Sequence, residues 1–248
     1  MSRYEVHALC YGRREGTRGQ HFLGCAAGEA DQPHPTAYYV WLARSAQHTV
    51  LIDAGIHPTR VPPGLDYRRP AELLDSIGVA AGDVDLVVLT HLHYDHAGTV
   101  ADFPGARYVV QRAELAYWTG PWAKRIRREH WLLDEDALGH VRGDRLSEVD
   151  GDVEVLPGLS VHFVGGHTAG MQIVRVATAA GPVVVASDAS HFYENLDDDR
   201  PAPLLHSMPG VYGAFDRIRE LGGIVLPGHD PEVLERYPAA GRDVVRVA

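Results

Sequence analysis

The chain has few cysteines and no long apolar segment, and each shortage excludes a class of protein. Its two cysteines, Cys10 and Cys25, cannot build a disulfide framework and do not form a paired-cysteine zinc motif. No apolar run approaches the roughly 18 residues of a membrane-spanning helix. The first residues also lack the unbroken apolar segment of a signal peptide. We therefore expect a cytoplasmic protein with no membrane span.

Basic residues are scarce as well. The chain has 23 lysines and arginines against 33 acidic residues, a formal net charge of −10, and Lys124 is its only lysine. The short basic run at residues 124–128 is typical of a solvated helix face. Because phosphate contacts supply most of the affinity of nucleic-acid-binding proteins, this balance argues against a nucleic-acid partner.

The apolar residues are numerous enough for a substantial core, at 45% of the 248 residues. Apolar, β-branched runs predict strands at residues 4–10, 36–42, 49–52, 84–89, 107–110, 160–164, 173–177, 183–186 and 224–226. Helices are predicted at residues 70–77, 112–118, 124–133 and 211–221. Since strands and helices mix without a linker, residues 1–248 are predicted to form one layered α/β domain. The Gly-rich residues 12–35 are predicted to form a long functional loop.

Histidine is abundant, at 15 residues, and several histidines cluster with carboxylates. Directly after the predicted strand 84–89, the run His91-Leu92-His93-Tyr94-Asp95-His96 places four potential metal ligands within six residues. His91 and His93 project to the same side of an extended chain. Imidazole and carboxylate groups together suit zinc, iron or manganese.

Three further candidate ligands also follow predicted strands. His167 lies in a glycine-flanked turn, Asp188 follows the run 183–186, and His229 follows the run 224–226. Each is a weak signal alone. Because an α/β scaffold gathers its active site at strand ends, all seven side chains are expected to meet.

The ordered set His91-x-His93-x-Asp95-His96, His167, Asp188 and His229 resembles the dinuclear metal motif of the metallo-β-lactamase superfamily. The resemblance covers nearly the whole chain and implies an α/β fold, a four-layer αββα sandwich. It also implies two divalent metal ions, with zinc expected and iron, manganese or cobalt as alternatives.

The resemblance further implies a role for each residue. His91, His93 and His167 would hold one ion, Asp95, His96 and His229 the other, and Asp188 would bridge them together with a hydroxide. Asp95 is also expected to be catalytic. Asp53 matches an early aspartate of the superfamily that supports the metal loop from behind. Metal-assisted hydrolysis by the shared hydroxide is the implied reaction.

Within the superfamily, the chain looks most like the N-acyl homoserine lactonases. Asp188 stands where zinc β-lactamases commonly carry another ligand, and no basic patch of the RNA-processing branch is present. The glutathione-binding region of the thioesterase branch is also not expected, since only a short segment follows His229. Alternatives left open are other lactones, esters, thioesters or phosphotriesters as substrates, and an iron-dependent oxidoreductase or sensor with the same ligands.

One position departs from the lactonase pattern. Lactonases place a tyrosine three residues after the bridging aspartate, where its hydroxyl assists the substrate carbonyl, but this chain has His191 there. Either His191 takes that role, or Tyr193 does, or the substrate differs.

The partner is expected to be a small-molecule lactone or ester, with a homodimer left open. The aromatic segment Tyr117, Trp118, Trp122 and Trp131 is a candidate for an apolar wall that binds an acyl chain, with Trp118 and Trp122 as its expected substrate contacts and core packing as the alternative. His21 and His34, in the loop of residues 12–35, are further candidates for substrate contacts.

Overall fold

Two β-sheets lie face to face in this protein, and helices cover the outer face of each. The structure is a computed structural model that describes residues 3–248. Within those residues the strands are β1 (Glu5–Arg14), β2 (Thr36–Arg44), β3 (Thr49–Ile52), β4 (Asp66–Tyr67), β5 (Leu86–Val88), β6 (Arg107–Gln111), β7 (Leu146–Val149), β8 (Val153–Leu156), β9 (Leu159–Phe163), β10 (Gln172–Thr178), β11 (Gly181–Ser187), β12 (Ile224–Pro227), β13 (Ala239–Gly241) and β14 (Val244–Arg246). The larger sheet has the order β13-β14-β1-β2-β3-β5-β6-β7, with β4 beside β1, and the smaller has the order β12-β11-β10-β9-β8.

Alternation along the strands explains the layers, since successive side chains point to opposite faces. Tyr39 and Trp41 of β2 point between the sheets and pack with Val183 and Val185 of β11. Val40, also on β2, points the other way, into a cluster with the helices outside the larger sheet. The result is the predicted four-layer αββα arrangement, so the predicted fold class is confirmed.

The helices are α1 (Arg18–His21), α2 (Pro70–Ser76), α3 (Tyr94–Ala97), α4 (Arg112–Thr119), α5 (Arg127–His130), α6 (Glu135–Val141), α7 (Tyr193–Asp197), α8 (Met208–Leu221) and α9 (Glu232–Arg236). Helix α8 covers the smaller sheet, where Ala214 and Ile218 pack on Val184 and Ala186. The Ser207 hydroxyl accepts a hydrogen bond from the Gly210 N–H and caps its first turn. None of the helices within residues 3–248 is both long and apolar enough to cross a membrane.

Two sequence predictions need correction. The predicted helix at residues 124–133 is reduced to α5, because the chain around Trp122 forms turns in which the Arg125 and Ile126 N–H groups bond to its carbonyl. The predicted loop at residues 12–35 begins inside β1 and contains α1, since β1 remains paired with β2 as far as Arg14. Strands β4, β7, β8, β13 and β14 were not predicted, because each is only two to four residues long.

Strand direction determines where the candidate ligands meet. Strands β3 and β5 are parallel neighbours, as are β11 and β12, and β9 runs in the same direction as β11 because both are antiparallel to β10. These strands end at one edge of the sandwich, and the segments that follow them carry the candidate ligands.

Candidate metal centre

All seven side chains of the sequence motif lie together at this edge. The ligand atoms of His91, His93 and His167 lie within 4.8 Å of one another, and those of Asp95, His96 and His229 form a second group of the same size. Most of these side chains are buried, with Asp188 7% exposed. The prediction that the strand ends would gather these residues agrees with the geometry.

Asp188 lies between the two groups. Its Oδ1 is 3.3 Å from His96 Nε2, while its Oδ2 is 3.2 Å from His229 Nε2 and 3.4 Å from His167 Nε2. Gly228 makes this approach possible, because a Cβ at that position would lie 2.4 Å from Asp188 Oδ1.

Backbone and carboxylate acceptors fix the orientation of three imidazoles. The Nδ1 atom of His96 bonds to Asp53 at 2.8 Å, that of His167 to the Leu204 carbonyl at 2.9 Å, and that of His229 to the Ala37 carbonyl at 2.9 Å. An imidazole that donates from Nδ1 presents the lone pair of its Nε2. All three lone pairs therefore face the cluster.

Several potential ligand atoms of the cluster have no hydrogen-bond partner among the described residues. Within residues 3–248, His91 Nε2, His96 Nε2 and Asp188 Oδ1 are buried without a hydrogen bond. His93 Nδ1 and His167 Nε2 face each other at 3.1 Å, and both are acceptors when these rings ligate a cation. Buried polar atoms without partners are costly. The donor set therefore fits divalent metal ions.

The electrostatics of the cluster agree with that fit. Burial lowers the pKa of His167 to about 3 and the pKa of His91 and His93 well below their ordinary value, so these rings are neutral and able to ligate. Burial also opposes charge on His96, but the charges of Asp188, Asp95 and Asp53 raise its pKa well above the ordinary value. The carboxylates thus attract positive charge to this site.

Asp53 lies directly behind the cluster, fully buried. Besides His96, its carboxylate accepts hydrogen bonds from the Thr90 N–H at 2.8 Å and from the Ser187 hydroxyl at 3.1 Å. Asp53 and Ser187 have φ values of 60° and 47°, a left-handed conformation that strains residues other than glycine. Asp53 thus joins two segments that carry candidate ligands, residues 90–96 and residues 187–188.

The two candidates for the missing tyrosine lie in different places. His191 Nε2 is 3.3 Å from Asp188 Oδ2, and neither ring nitrogen of this buried residue has a hydrogen-bond partner within residues 3–248. Tyr193 instead packs in the cluster between the sheets, with the Arg236 guanidinium 3.5 Å from its ring centroid. The structure therefore brings His191 to the metal centre and not Tyr193.

Of the residues predicted to contact the substrate, some lie at the cavity and others do not. His21 lines the cavity above the ligands, whereas His34 packs behind it, 4.4 Å from the ring of Phe192. Trp118 is buried with its ring 5.7 Å from that of His93, but Trp122 is 59% exposed and lies outside the cavity. The predicted contribution of Trp122 to a cavity wall is thus corrected, because the turn at residues 119–126 directs it to solvent.

Several cavity-lining residues were not identified from the sequence. Besides Trp131, a member of the aromatic segment singled out in the sequence, the cavity is also lined by Arg14, Gln20, Thr36, Tyr38, Tyr94, Leu132 and Leu204. Tyr94 could have been found from its place inside the ligand run. The others come from separate segments and carry no local signal.

Comparison with known proteins identifies relatives along most of the chain. The family model of the metallo-beta-lactamase superfamily matches residues 34–233. The N-acyl homoserine lactonase AiiA of Bacillus thuringiensis subsp. kurstaki is 26% identical over 215 residues, covering 78% of this chain and 81% of that protein. The N-acyl homoserine lactonase AiiB of Agrobacterium fabrum is 29% identical over 219 residues, covering 77% and 79%.

Solved structures share the fold. A quorum-quenching N-acyl homoserine lactone lactonase superposes with a TM-score of 0.80 at 20% identity, covering 96% of this chain and 97% of that one. An N-acyl homoserine lactone hydrolase with the product N-hexanoyl-L-homoserine at its catalytic metal centre superposes with a TM-score of 0.78 at 20% identity, covering 96% and 98%. At these identities the likeness shows a common architecture.

Proposed function

The chain belongs to the metallo-beta-lactamase superfamily, and on this premise we propose that it is a metal-dependent hydrolase that opens lactone rings, in particular N-acyl homoserine lactones. The observation that carries the proposal is the convergence of seven ligand side chains, six of them buried, on one edge of the sandwich beside an open cavity. The names of the curated relatives, both N-acyl homoserine lactonases, support the choice of substrate.

The proposed ligand assignment follows the two groups in the structure. His91, His93 and His167 hold one ion, and Asp95, His96 and His229 hold the second. Asp188 has one oxygen close to His96 and the other close to His167 and His229, which suits a carboxylate that contacts both ions. When bound, two divalent ions lower the pKa of a shared water toward neutrality and polarise the carbonyl under attack.

Besides the metal ions, the reaction needs a proton transfer and a hydrogen bond to the carbonyl oxygen, and side chains around the cavity can supply both. A water oxygen forms a bond with the lactone carbonyl carbon, the ring C–O bond breaks, and the ring oxygen takes up a proton to leave a hydroxy acid. Asp95 lines the cavity with its side chain 13% exposed, so its carboxylate can pass a proton from the water to that oxygen. His191, whose Nε2 lies 3.3 Å from Asp188 Oδ2 at the edge of the cluster, can donate a hydrogen bond to the carbonyl oxygen.

Proton release tests this function directly, because hydrolysis of a lactone yields a carboxylic acid that ionises at neutral pH. The purified enzyme should acidify weakly buffered solutions of N-acyl homoserine lactones and, more slowly, of simple γ- and δ-lactones. Linear esters and phosphotriesters complete the panel. If the metal-loaded enzyme opens no lactone but cleaves esters or phosphotriesters, the lactonase assignment is wrong and the hydrolase assignment remains.

The identity and number of the metal ions belong to the same proposal. We propose two zinc ions for each chain, supported by the two ligand groups and by their imidazole and carboxylate donors. Elemental analysis of protein purified without chelator should give about two ions. A reproducible value near one, with full activity, would contradict a dinuclear centre.

The proposal also covers the location, the number of domains and the oligomeric state of the protein. A cytoplasmic location is supported by the free thiols of Cys10 and Cys25, since disulfides form in oxidising compartments. One domain over residues 1–248 predicts a single cooperative unfolding transition, and two separated transitions would contradict it. A homodimer predicts twice the chain mass in analytical ultracentrifugation.

A further inference from the structure

Glu114, on helix α4, is a fully buried carboxylate that none of the steps above uses. A charged side chain is expensive to bury unless hydrogen bonds compensate for the lost hydration. Its presence beside the metal centre therefore calls for a physical reason.

Four donors surround this carboxylate. Oε1 accepts hydrogen bonds from the Leu92 N–H at 3.0 Å and from the Trp118 indole N–H at 2.8 Å. Oε2 accepts from the Thr168 hydroxyl and from the Gly170 N–H, each at 2.8 Å. A glutamine here would turn an N–H₂ group toward two of these donors, so the ionised carboxylate is the side chain that satisfies all four.

Three of the four donors come from the two segments that carry one group of ligands, and the fourth, the Trp118 indole, lies on helix α4 itself. Leu92 lies between His91 and His93, and Thr168 directly follows His167. One oxygen of Glu114 thus holds the first segment and the other oxygen holds the second. The ligand atoms His93 Nδ1 and His167 Nε2, supplied by these two segments, lie 3.1 Å apart.

The close approach of the second segment depends on a glycine. A Cβ at position 170 would lie 2.1 Å from the backbone nitrogen of Glu114, so any other residue would push this segment away from helix α4. The sequence therefore provides both the carboxylate and the space that lets the Gly170 N–H reach it.

Asp53 holds the other side of the centre in a similar way. It bonds to Nδ1 of His96, a ligand of the second group, but makes no hydrogen bond to His93 or His167. Asp53 reaches the first group only through Thr90, whose hydroxyl lies 3.0 Å from His91 Nδ1, so the ligand groups that the two buried carboxylates hold directly are different.

We propose that Glu114 is a positioning residue for the ion bound by His91, His93 and His167, and that it acts by fixing the distance between the two segments that carry them. The inference deepens the proposed metal centre and requires no particular substrate. Substitutions of groups that orient metal ligands typically lower metal affinity about 10- to 100-fold. A loss of affinity of that size for one ion alone is therefore the result that this role predicts.

Metal binding by Glu114→Gln, measured without substrate, tests the proposal. Titration with Zn²⁺ against a chromophoric chelator should show one ion bound about 10- to 100-fold more weakly and the other unchanged. Asp53→Asn should weaken the opposite ion. After loading with one equivalent of Co²⁺, the two variants should therefore give different visible spectra. Glu129→Gln is the matched control, because it removes another buried glutamate that bonds to Tyr117 and not to the ligand segments.

Three outcomes would overturn the proposal: two ions bound by Glu114→Gln with unchanged affinity, weakening of the same ion alone in both Glu114→Gln and Asp53→Asn, or an equal loss in Glu129→Gln. If Glu114→Gln does not fold, Thr168→Val removes one of the four donors. It must then weaken the same single ion to a smaller degree, and unchanged affinity in Thr168→Val would count against the role. Because no substrate is used, failure here is separate from failure of the lactone panel.

Discussion

Asp53 and His96 are joined by a 2.8 Å hydrogen bond between a carboxylate oxygen and Nδ1 of the ring, and both side chains are buried. The two residues come from segments after neighbouring parallel strands, β3 and β5. The bond fixes the tautomer of His96 and leaves the lone pair on Nε2. That atom lies 3.3 Å from Asp188 Oδ1. The orientation of one ligand thus depends on a residue that does not reach the cluster.

The first prediction follows from this bond. Asp53→Asn should lower the affinity for one metal ion about 10- to 100-fold, because the amide group cannot accept all the hydrogen bonds that the carboxylate accepts. Competition with a chromophoric chelator measures the change. Asp85→Asn is a suitable control, since Asp85 bonds to the Thr49 N–H at the far end of β3. Unchanged binding of both ions in Asp53→Asn would contradict a supporting role.

The second prediction concerns Asp188. Asp188→Ala removes the carboxylate that lies between the two ligand groups, and kcat/KM should fall about 10³-fold or more. Initial rates at matched metal content measure the loss. Asp150→Ala, which removes an exposed aspartate paired with Arg112, should leave the rate unchanged. Near-normal turnover by Asp188→Ala with both ions still bound would refute the proposed arrangement.

The third prediction separates His191 from Tyr193. His191→Ala should lower kcat roughly 10²- to 10³-fold, the usual effect of losing a donor to the substrate carbonyl in the transition state. Tyr193→Phe should have little effect, because its ring packs between the sheets. The metal content of His191→Ala should stay at the wild-type value.

Other results would change the assignment of these two residues. A loss of metal from His191→Ala would identify His191 as a ligand, in line with its grouping with His167 and Asp188. A large loss of activity in Tyr193→Phe alone would assign the carbonyl contact to Tyr193.

The sequence predicts which candidate ligands lie together because chemistry strongly restricts the residue types that can serve. Strand ends can be located from apolar runs, and few residue types bind metal ions, so His167 and Asp188 stand out despite their separation in the chain. Asp53 also follows a predicted strand, but that place alone did not indicate a role. Only its resemblance to a family position indicated what it does.

The cavity walls could not be predicted in the same way. Arg14, Tyr38 and Leu204 reach the cavity from three segments whose approach depends on tertiary packing. Glu114 looks like an ordinary helix residue in the sequence, and only the fold shows that its carboxylate meets Leu92 and Gly170. Periodicity and residue type carry no information about such contacts.

The last prediction concerns the acyl chain of the substrate. Trp118 and Trp122 were the expected wall, but Trp122 points to solvent, and the Trp118 indole bonds to Glu114. Replacing Trp118 would therefore disturb the metal centre as well as the wall. Trp131 is the better candidate, because it lines the cavity with Leu132 and lies 5.8 Å from the ring of Tyr94.

A matched pair of tryptophans tests this wall. Trp131 and Trp122 are 55% and 59% exposed, so their replacement removes similar surfaces, but only Trp131 borders the cavity above the ligands. Each buried methylene of an acyl chain contributes at most about 0.8 kcal/mol, or roughly a fourfold gain in kcat/KM per carbon until the cavity is full. In the wild-type enzyme kcat/KM for N-acyl homoserine lactones should thus rise with chain length. The rise should be flatter in Trp131→Ala and unchanged in Trp122→Ala. Equal slopes in all three proteins would show that the acyl chain lies elsewhere, because a wall that contacts the chain must contribute more to longer substrates than to shorter ones.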